Sequence, residues 1–179
     1  MPSVLLRAVE PLDLELLYEW ENNPDLWGVG DTLAPLSRSA LQRYLQEAQQ
    51  DLYAARQLRL MVDIREDDGL RATVGAVDLF DFDPRHLRAG VGVLIYDPAM
   101  RRKGYATQAL QQLVRYAFGT LRLHQLHCSV AEGNAASIAL MRKLGFETSG
   151  VKKDWRAAGQ AYENELFMQL IYEATTLYP

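Results

Sequence analysis

The sequence predicts a single α/β domain, residues 1–179, in which about four helices flank a mixed, twisted seven-stranded sheet. The length of 179 residues fits one domain, since domains commonly run to about 100–200 residues. Segments with strand and helix periodicity follow in the order β-α-α-β-β-β-α-β-α-β-β. Residues 91–131 have the length of a parallel strand–helix–strand unit, whereas the earlier strands resemble an antiparallel meander, so the sheet should be mixed.

The first part of the chain supplies one strand and two helices. Residues 4–9 have strand character, and Pro11 opens a helix at the first helical position, where its missing N–H costs nothing. Asn22-Asn23-Pro24 ends that helix and leads into a loop that carries Trp27, and Ser37 is a suitable N-cap for the second helix. The apolar residues at helical spacing are Leu12, Leu16, Leu17 and Trp20 in the first helix, and Leu41, Tyr44, Leu45 and Ala48 in the second.

The remaining elements follow from equally local signals. The central strands are residues 58–65, 72–82 and 91–96. A helix over 107–118 precedes a strand over 125–131, and a further helix begins at the N-cap Asn134 and ends at Gly145. Two last strands, 148–155 and 161–172, are joined near Gly159.

Composition narrows the class of protein. The net charge of −4 argues against a general nucleic-acid binder, which would carry a basic face. The N-terminal residues lack a signal peptide, and no segment approaches the 18 or so apolar residues of a membrane span, so we expect a cytoplasmic protein without a membrane partner. The lone cysteine, Cys128, excludes an internal disulfide and a zinc ribbon.

One short run carries most of the functional information. Arg101-Arg102-Lys103-Gly104-Tyr105-Ala106 lies between a strand and a helix, so backbone N–H groups converge at the positive end of a helix dipole. Such a loop suits a pyrophosphate, although a surface basic run is often only solvated. The P-loop and Rossmann glycine patterns are both absent.

Two motifs together resemble the GCN5-related N-acetyltransferase superfamily over essentially the whole chain. The family's acyl-CoA loop reads Gln/Arg-x-x-Gly-x-Gly/Ala, which residues 101–106 match. A second pattern follows about thirty residues later and is matched by Asn134, Ser137, Lys143, Gly145 and Phe146. Residues 20–24 and 159–163 are similar to the branch that holds spermidine acetyltransferases and enzymes that acetylate ribosomal proteins.

The resemblance implies an acetyl-CoA-dependent N-acetyltransferase that uses no metal. Acetyl would pass directly to a primary amine in a ternary complex, with an N–H of the fourth strand stabilising the oxyanion. The acceptor would be a polyamine such as spermidine or, as the alternative, a protein N-terminus, and a homodimer is expected. The implied acetyl-CoA-binding residues are Val93, Leu94, Ile95, Arg101, Arg102, Lys103, Gly104, Tyr105, Ala106, Asn134, Ser137 and Lys143.

The chain departs from the family at two catalytic positions. Met141 stands where a tyrosine acid is often found, and Gly90 where a glutamate base is often found. The candidate catalytic base is therefore Glu132, with Asp78, Asp81 and Asp83 as alternatives. These departures also motivate an alternative function, a non-catalytic acyl-CoA-binding module. A third possibility is a structural α/β domain whose loop binds nothing.

The remaining candidates concern the acceptor site and a metal. Trp27, Asp78 and Tyr162 are candidate substrate contacts, and strand alternation allows either Tyr162 with Asn164 or Glu163 with Glu165 to face the acceptor. His124, His127 and Cys128 are close in sequence, but residues three apart in a strand point to opposite faces, so a metal site is not expected. Cys128 in mid-strand is expected to be a small buried hydrophobe, which argues against an acetyl-cysteine intermediate.

Overall fold

The computed structural model describes residues 3–27, 34–48, 50–65, 69 and 71–173. It contains one seven-stranded sheet in the order β1-β2-β3-β4-β5-β7-β6, which confirms the predicted mixed sheet. The strands are β1 (Ser3–Ala8), β2 (Leu58–Arg65), β3 (Arg71–Asp83), β4 (Arg88–Ile95), β5 (Gln125–Ala131), β6 (Glu147–Ala158) and β7 (Ala161–Ile171).

The helices include the four that the sequence predicts and two short additions. They are α1 (Leu14–Glu21), α2 (Pro24–Trp27), α3 (Arg38–Glu47), α4 (Leu52–Ala55), α5 (Tyr105–Gly119) and α6 (Ala135–Lys143). Helices α2 and α4 each form a single turn, which is too short for apolar periodicity to reveal. Trp27 therefore lies at the end of a helical turn and not in the loop that the sequence suggested.

Helix ends follow the predicted caps. The Ser37 side chain accepts a hydrogen bond from the Ala40 N–H, and the Asn134 side chain accepts one from the Ser137 N–H at 3.1 Å. Gly145 has φ +90°, a left-handed conformation that glycine adopts without strain, and it directs Phe146 into the core.

Helices cover both faces of the sheet, but unequally. Helices α5 and α6 pack with the main core on one face, here called the α5 face, where Leu110, Leu126 and Phe146 are buried. Helices α1 and α3 pack on the opposite face, here called the α1 face, around Leu17, Trp20 and Met61. None of the helices in the described part of the chain has the length and apolar character needed to cross a bilayer.

A buried ion-pair cluster fixes the start of α1 against the sheet. Arg7 of β1 donates to both carboxylate oxygens of Asp13 at 2.7 Å and to Asp63 at 2.9 Å. Thr73 completes the cluster by donating to Asp63 and accepting from Arg7. Because Asp13 and Asp63 are buried, these bonds replace the water that the carboxylates lose on folding.

Candidate active site

A cleft opens between β4 and β5 because their parallel ladder is short. Arg88, Ala89 and Gly90 pair with Gln125, Leu126 and His127, and no pairing between these two strands continues beyond Gly90. The cleft has a volume of about 580 Å³. On the strands it is lined by Val91, Gly92 and Val93 of β4 and by Cys128, Ser129, Val130 and Ala131 of β5.

The cleft is bordered by residues from both faces of the sheet. Asn134, Ser137 and Met141 line it from α6 on the α5 face, whereas Arg156 of β6 and Glu163 of β7 line it from the hairpin. A donor entering on one side and an acceptor entering on the other would therefore meet between β4 and β5.

The exposed edge of β4 offers backbone groups to this cleft. On its other edge β4 pairs with β3 through Val93, Leu94 and Ile95, opposite Val77, Ala76 and Gly75. In an antiparallel pair alternate residues turn their N–H and C=O groups away from the partner. Since β5 has already diverged, the groups that point away from β3 are available to an extended ligand.

The basic loop that follows β4 ends at an uncapped helix start. Gly104 is the N-cap of α5 with φ +84°, and no side chain caps the helix there. The first N–H groups of a helix have no partner within it, so those of Tyr105, Ala106 and the next residue can bind an anion. A Cβ built on Gly104 would have no neighbour within 4 Å, so the positive φ, and not crowding within the protein, favours glycine.

The three basic side chains of the loop have different surroundings. Arg101 donates through Nε to the Ile95 carbonyl at 3.0 Å and through Nη2 to the Tyr96 carbonyl at 3.2 Å, so it fastens the loop to the end of β4. Arg102 is exposed and has φ +62°. Lys103 is exposed, with its Nζ 3.5 Å from the Met100 sulfur. Tyr105 is buried in the core, so its contribution to an anion site comes from its backbone.

Helix α6 divides its candidate residues between two cavities. Asn134 and Ser137 line the cleft near the helix start. Lys143 lies in the last turn and lines a separate depression of about 720 Å³ together with Glu132. The structure therefore does not bring Lys143 into the cleft with Asn134.

Two neighbouring carboxylates occupy different places. Glu132 is exposed, and its Oε2 accepts a hydrogen bond from the Asn164 side chain at 2.8 Å, outside the cleft. Glu163 lines the cleft, with Oε2 3.4 Å from the Gly133 N–H. Between the alternatives that strand parity left open, the structure turns Glu163 and not Tyr162 toward the cleft. The role of Glu132 as a base stays a prediction.

Two aspartates of β3, Asp78 and Asp83, form ion pairs with arginines. Asp78 accepts from Arg59 Nε at 2.7 Å, and Arg59 also pairs with Glu21 at 2.9 Å. Desolvation lowers the pKa of Arg59, but Asp78, Tyr44 and Glu21 outweigh it and the pKa is raised. Asp83 pairs with Arg88 and accepts from two backbone N–H groups, of which that of His86 is the largest cause of its lowered pKa.

The structure gives a physical reason for the glycine at position 90. A Cβ on Gly90 would overlap the ring of Phe80, which lies beside it on the α1 face. Any larger side chain at position 90 would have to displace that ring. Met141, at the other departure, is buried and presents a thioether to the cleft, which cannot donate a proton.

The aromatic candidates lie at the margins. Trp27 is half-buried and donates from Nε1 to the Glu21 carbonyl at 2.9 Å, so its indole packs against the end of α1. Tyr162 is 67% exposed and lines neither the cleft nor the depression that Lys143 and Glu132 line. Trp20 is buried in the core as predicted and stacks on Tyr96.

Cys128 is buried among core residues, and desolvation raises the pKa of its thiol to about 12. Such a thiol is a poor nucleophile at neutral pH because almost none of it is ionised. Within the described residues, no three His, Cys, Asp or Glu side chains form a group that could hold a metal ion.

One feature of the site depends on contacts between strands that are distant in sequence. Phe80, His127 and Phe167 form an aromatic row across β3, β5 and β7, with ring centroids 6.2 Å and 5.5 Å apart. These residues are distant in sequence, and only the strand order brings them together. The two glycines of β4, Gly90 and Gly92, were the one sequence signal that a bulky neighbour lies over this strand.

Comparisons with known proteins bear on the family. Residues 3–147 match the family model described as the acetyltransferase (GNAT) domain. The N-acetyltransferase p20 of Bacillus licheniformis is 27% identical over 169 residues, which are 92% of this chain and 91% of that relative. The spermidine N(1)-acetyltransferase of Vibrio cholerae is 25% identical over 148 residues, or 83% and 81% of the two chains.

A solved structure agrees with the fold. The crystal structure of spermidine N-acetyltransferase from Vibrio cholerae in complex with CoA and spermine has a TM-score of 0.80 to this chain, at 22% identity and with 94% and 95% of the two chains covered. Since the family model spans most of the sequence and the fold is the same, this chain belongs to the GNAT acetyltransferase family and is an acyltransferase.

Proposed function

We propose that this enzyme transfers acetyl from acetyl-CoA to a primary amine within a ternary complex. The observation that carries the proposal is the cleft between β4 and β5, which is bordered by α6 residues on one side and by the β6–β7 hairpin on the other. A single space bordered in this way lets the amine reach a thioester without a covalent enzyme intermediate. The buried Cys128 thiol argues in the same direction.

The donor half of the proposal rests on three local features that fit CoA. The uncapped start of α5 offers backbone N–H groups to the pyrophosphate, and Arg102 and Lys103 add exposed positive charge. The free edge of β4 offers hydrogen bonds to an extended pantetheine arm. An N–H of the same edge can stabilise negative charge on the thioester oxygen during attack.

The acceptor half rests on charge at the hairpin side of the cleft. Glu163 presents a carboxylate there that suits an ammonium group, whereas the nearby Glu165 is already neutralised by Lys152 at 2.8 Å and Arg156 at 3.5 Å. A small polyamine such as spermidine is the first acceptor that we propose, which the similarity to a spermidine acetyltransferase supports. The N-terminal amine of a protein is the alternative, and a homodimer remains expected.

The chemistry needs little from side chains once the reactants are placed. The amine nitrogen forms a bond to the thioester carbon, the C–S bond breaks, and the electron pair leaves on sulfur. A thiol of pKa about 8.5 is a good leaving group, so the absence of an acid at Met141 is tolerable. The nitrogen must lose one proton, and this is the step for which a base is required.

Two measurements test the proposal on the purified protein. Isothermal titration with acetyl-CoA should show binding, and a Gly104→Glu variant should weaken it at least about tenfold, since it places bulk and negative charge at a helix N-terminus that binds phosphate. Gly104→Ala is the matched control, because it brings the same backbone strain at φ +84° without the bulk and negative charge of glutamate.

Thiol release is then followed over a panel of spermidine, spermine, simple alkylamines and short peptides with free N-termini. Acetylation of a polyamine with little turnover of peptides supports the first acceptor, and the reverse supports the alternative. Binding without turnover of any amine would contradict the proposed transfer. Absence of acetyl-CoA binding at millimolar concentration would contradict the donor site itself.

A further inference from the structure

His127 stands at the point where β4 and β5 separate. It pairs with Gly90 in the last residue pair of their ladder, directly before the cleft begins. Its neighbours Leu126 and Cys128 are buried on the α5 face, so alternation directs the imidazole to the α1 face. Gly90 and Gly92 carry no side chains, so β4 places none of its own beside the imidazole, and the ring of Phe80 from β3 fills the space next to Gly90.

The aromatic row holds the imidazole in place from both sides. The Phe80 ring approaches it edge-on at a centroid distance of 6.2 Å, and the Phe167 ring lies at 5.5 Å. A second cavity beside the cleft, distinct from the depression at Lys143, opens from His127 toward Phe80, Asp81 and Gln169 and has a volume of about 710 Å³. The imidazole is therefore oriented and half-buried, yet it can be reached from solvent.

The imidazole differs from two nearby acids, Asp78 and Glu165, in having no ion-pair partner. Among the described residues it has no hydrogen bond or ion pair, whereas Asp78 is bound to Arg59 and Glu165 to Lys152 and Arg156. A group that already neutralises a cation is a weaker proton acceptor than a neutral imidazole with an open lone pair.

Burial and nearby charges together keep the His127 imidazole neutral near pH 7. Desolvation is the main cause that lowers its pKa below the ordinary value of 6.5, and Arg88 of β4 and Lys152 of β6 lower it further. Asp81 of β3 acts in the opposite direction and raises it. Arg56 and Gln57, after α4, and Asp83, Gln125 and Gln169 complete the polar groups that line the second cavity with it.

We propose that His127 is the proton acceptor for the amine during acetyl transfer, taking the role for which β4 offers only Gly90. This inference rests on the proposed function. As the amine nitrogen bonds to the carbonyl carbon, its proton passes to a ring nitrogen of His127. When the C–S bond breaks, the imidazolium returns that proton to the departing thiolate, so the histidine is regenerated and no other reactant is needed.

The experiment compares kcat/KM of the wild type and His127→Gln with the best amine, from pH 5.5 to 9. At pH 7.5 we expect the variant to be roughly 100-fold slower, within the range for loss of a general base. The ratio of the wild-type kcat/KM to that of the variant should rise about tenfold per pH unit up to the pKa of His127 and stay constant above it. The ionisation of the substrate cancels in this ratio.

Two further measurements separate a chemical role from a structural one. His127→Ala should regain part of its activity when imidazole is added, and both variants should keep wild-type acetyl-CoA affinity. His124→Gln is the matched control, since it removes an exposed imidazole at the entrance of the same strand and should behave as wild type. Should neither His127 variant fold, the wild-type profile must still show an additional one-proton loss of activity below pH 6.5.

The outcomes are distinguishable. Two results would overturn the role of His127 and leave the proposed function intact. One is a His127→Gln variant with wild-type kcat/KM. The other is a slow variant whose kcat/KM ratio to wild type is independent of pH and which imidazole does not rescue. A wild-type protein that binds acetyl-CoA and acetylates no amine would overturn the proposed function and this inference with it.

Discussion

The ring of Phe80 occupies the space beside Gly90 in which a side chain on β4 would lie. Phe80 also pairs with Gly90 across the β3–β4 ladder, so the two positions form one packing unit. Phe80 of β3 fills this part of the sheet surface, and glycine at position 90 of β4 leaves room for its ring.

Gly90→Ala should therefore destabilise the fold by about 1 kcal/mol, at the low end of the roughly 1–3 kcal/mol that overpacking commonly costs, because the Phe80 ring is partly exposed. The matched control is Gly92→Ala, whose Cβ would meet Phe80 at an ordinary 3.8 Å and should cost much less. Denaturant unfolding of Gly90→Ala, Phe80→Ala and the double variant measures the coupling. Additive effects of the two substitutions would show that the ring does not determine the glycine.

The Arg7–Asp13 pair predicts a pH-dependent part of the stability. Desolvation raises the pKa of Asp13, but hydrogen bonds from Arg7 and from the Glu10 N–H outweigh it and the net pKa is lowered. A carboxyl with a depressed pKa in the folded state stabilises above its unfolded pKa of about 3.9, and that contribution is lost as the pH falls through the folded pKa.

Asp13→Asn should thus cost about 3 kcal/mol at pH 7, because it leaves the partly buried Arg7 with a weaker partner. The difference between wild type and variant in unfolding free energy should be constant at neutral pH and should shrink below about pH 4. Glu15→Gln, in an exposed pair with Arg38, is the comparison and should change stability little. A difference that does not shrink in acid would contradict the assignment.

Local signals made much of the fold and the donor loop predictable. The cap Asn134 and the stop at Gly145 each depend on a few adjacent residues, and the structure has both, whereas α5 begins at Tyr105, two residues before the predicted 107. The start of β4 was missed, since the strand begins at Arg88, three residues before the predicted 91. Gly90 and Gly92 weaken a strand pattern, and only pairing with β3 and β5 reveals it.

The acceptor side was less predictable because it depends on register between distant segments. His127 lies where the cleft begins, and lines the neighbouring cavity, only because β5 pairs with β4 up to Gly90 and then diverges. Glu163 lies on β7 and lines the cleft, whereas Glu132 lies just after β5 and lines a separate depression, a difference that depends on how the two segments pack. Periodicity restricts a side chain to one of two faces, and tertiary packing decides what it meets there.

Arg101 should matter for structure as well as for charge. Its two bonds to the Ile95 and Tyr96 carbonyls join the loop to the end of β4. Arg101→Gln should lower stability by about 1–3 kcal/mol, since a charged donor to two carbonyls is lost, and should weaken acetyl-CoA binding.

Arg102→Gln is the contrasting variant, because Arg102 is exposed like Arg101 but does not share its hydrogen bonds to the Ile95 and Tyr96 carbonyls. It should leave the melting temperature unchanged and reduce only the salt-dependent part of acetyl-CoA affinity. Calorimetry and titration at two salt concentrations check both variants. Equal effects of the two on the melting temperature would contradict the distinct role of Arg101.

Glu163 should determine how well an ammonium group is held. Glu163→Gln should raise KM for spermidine roughly tenfold with a smaller change in kcat, because one charge contact is lost in binding. Glu47→Gln removes an exposed carboxylate from the last residue of α3 and serves as the control. An unchanged KM in Glu163→Gln would move the ammonium site elsewhere.

Cys128 should be unreactive in the folded enzyme. Its side chain is 3% exposed and its pKa is raised to about 12, so the thiolate fraction at pH 8 is on the order of one in ten thousand. A disulfide reagent such as the one used for thiol release should therefore label the native protein at least about a thousandfold more slowly than the unfolded chain. Cys128→Ala should keep kcat within about twofold, since direct transfer needs no acetyl-cysteine. Rapid stoichiometric labelling of the native enzyme, or loss of turnover in a folded Cys128→Ala variant, would reopen a covalent route through this residue.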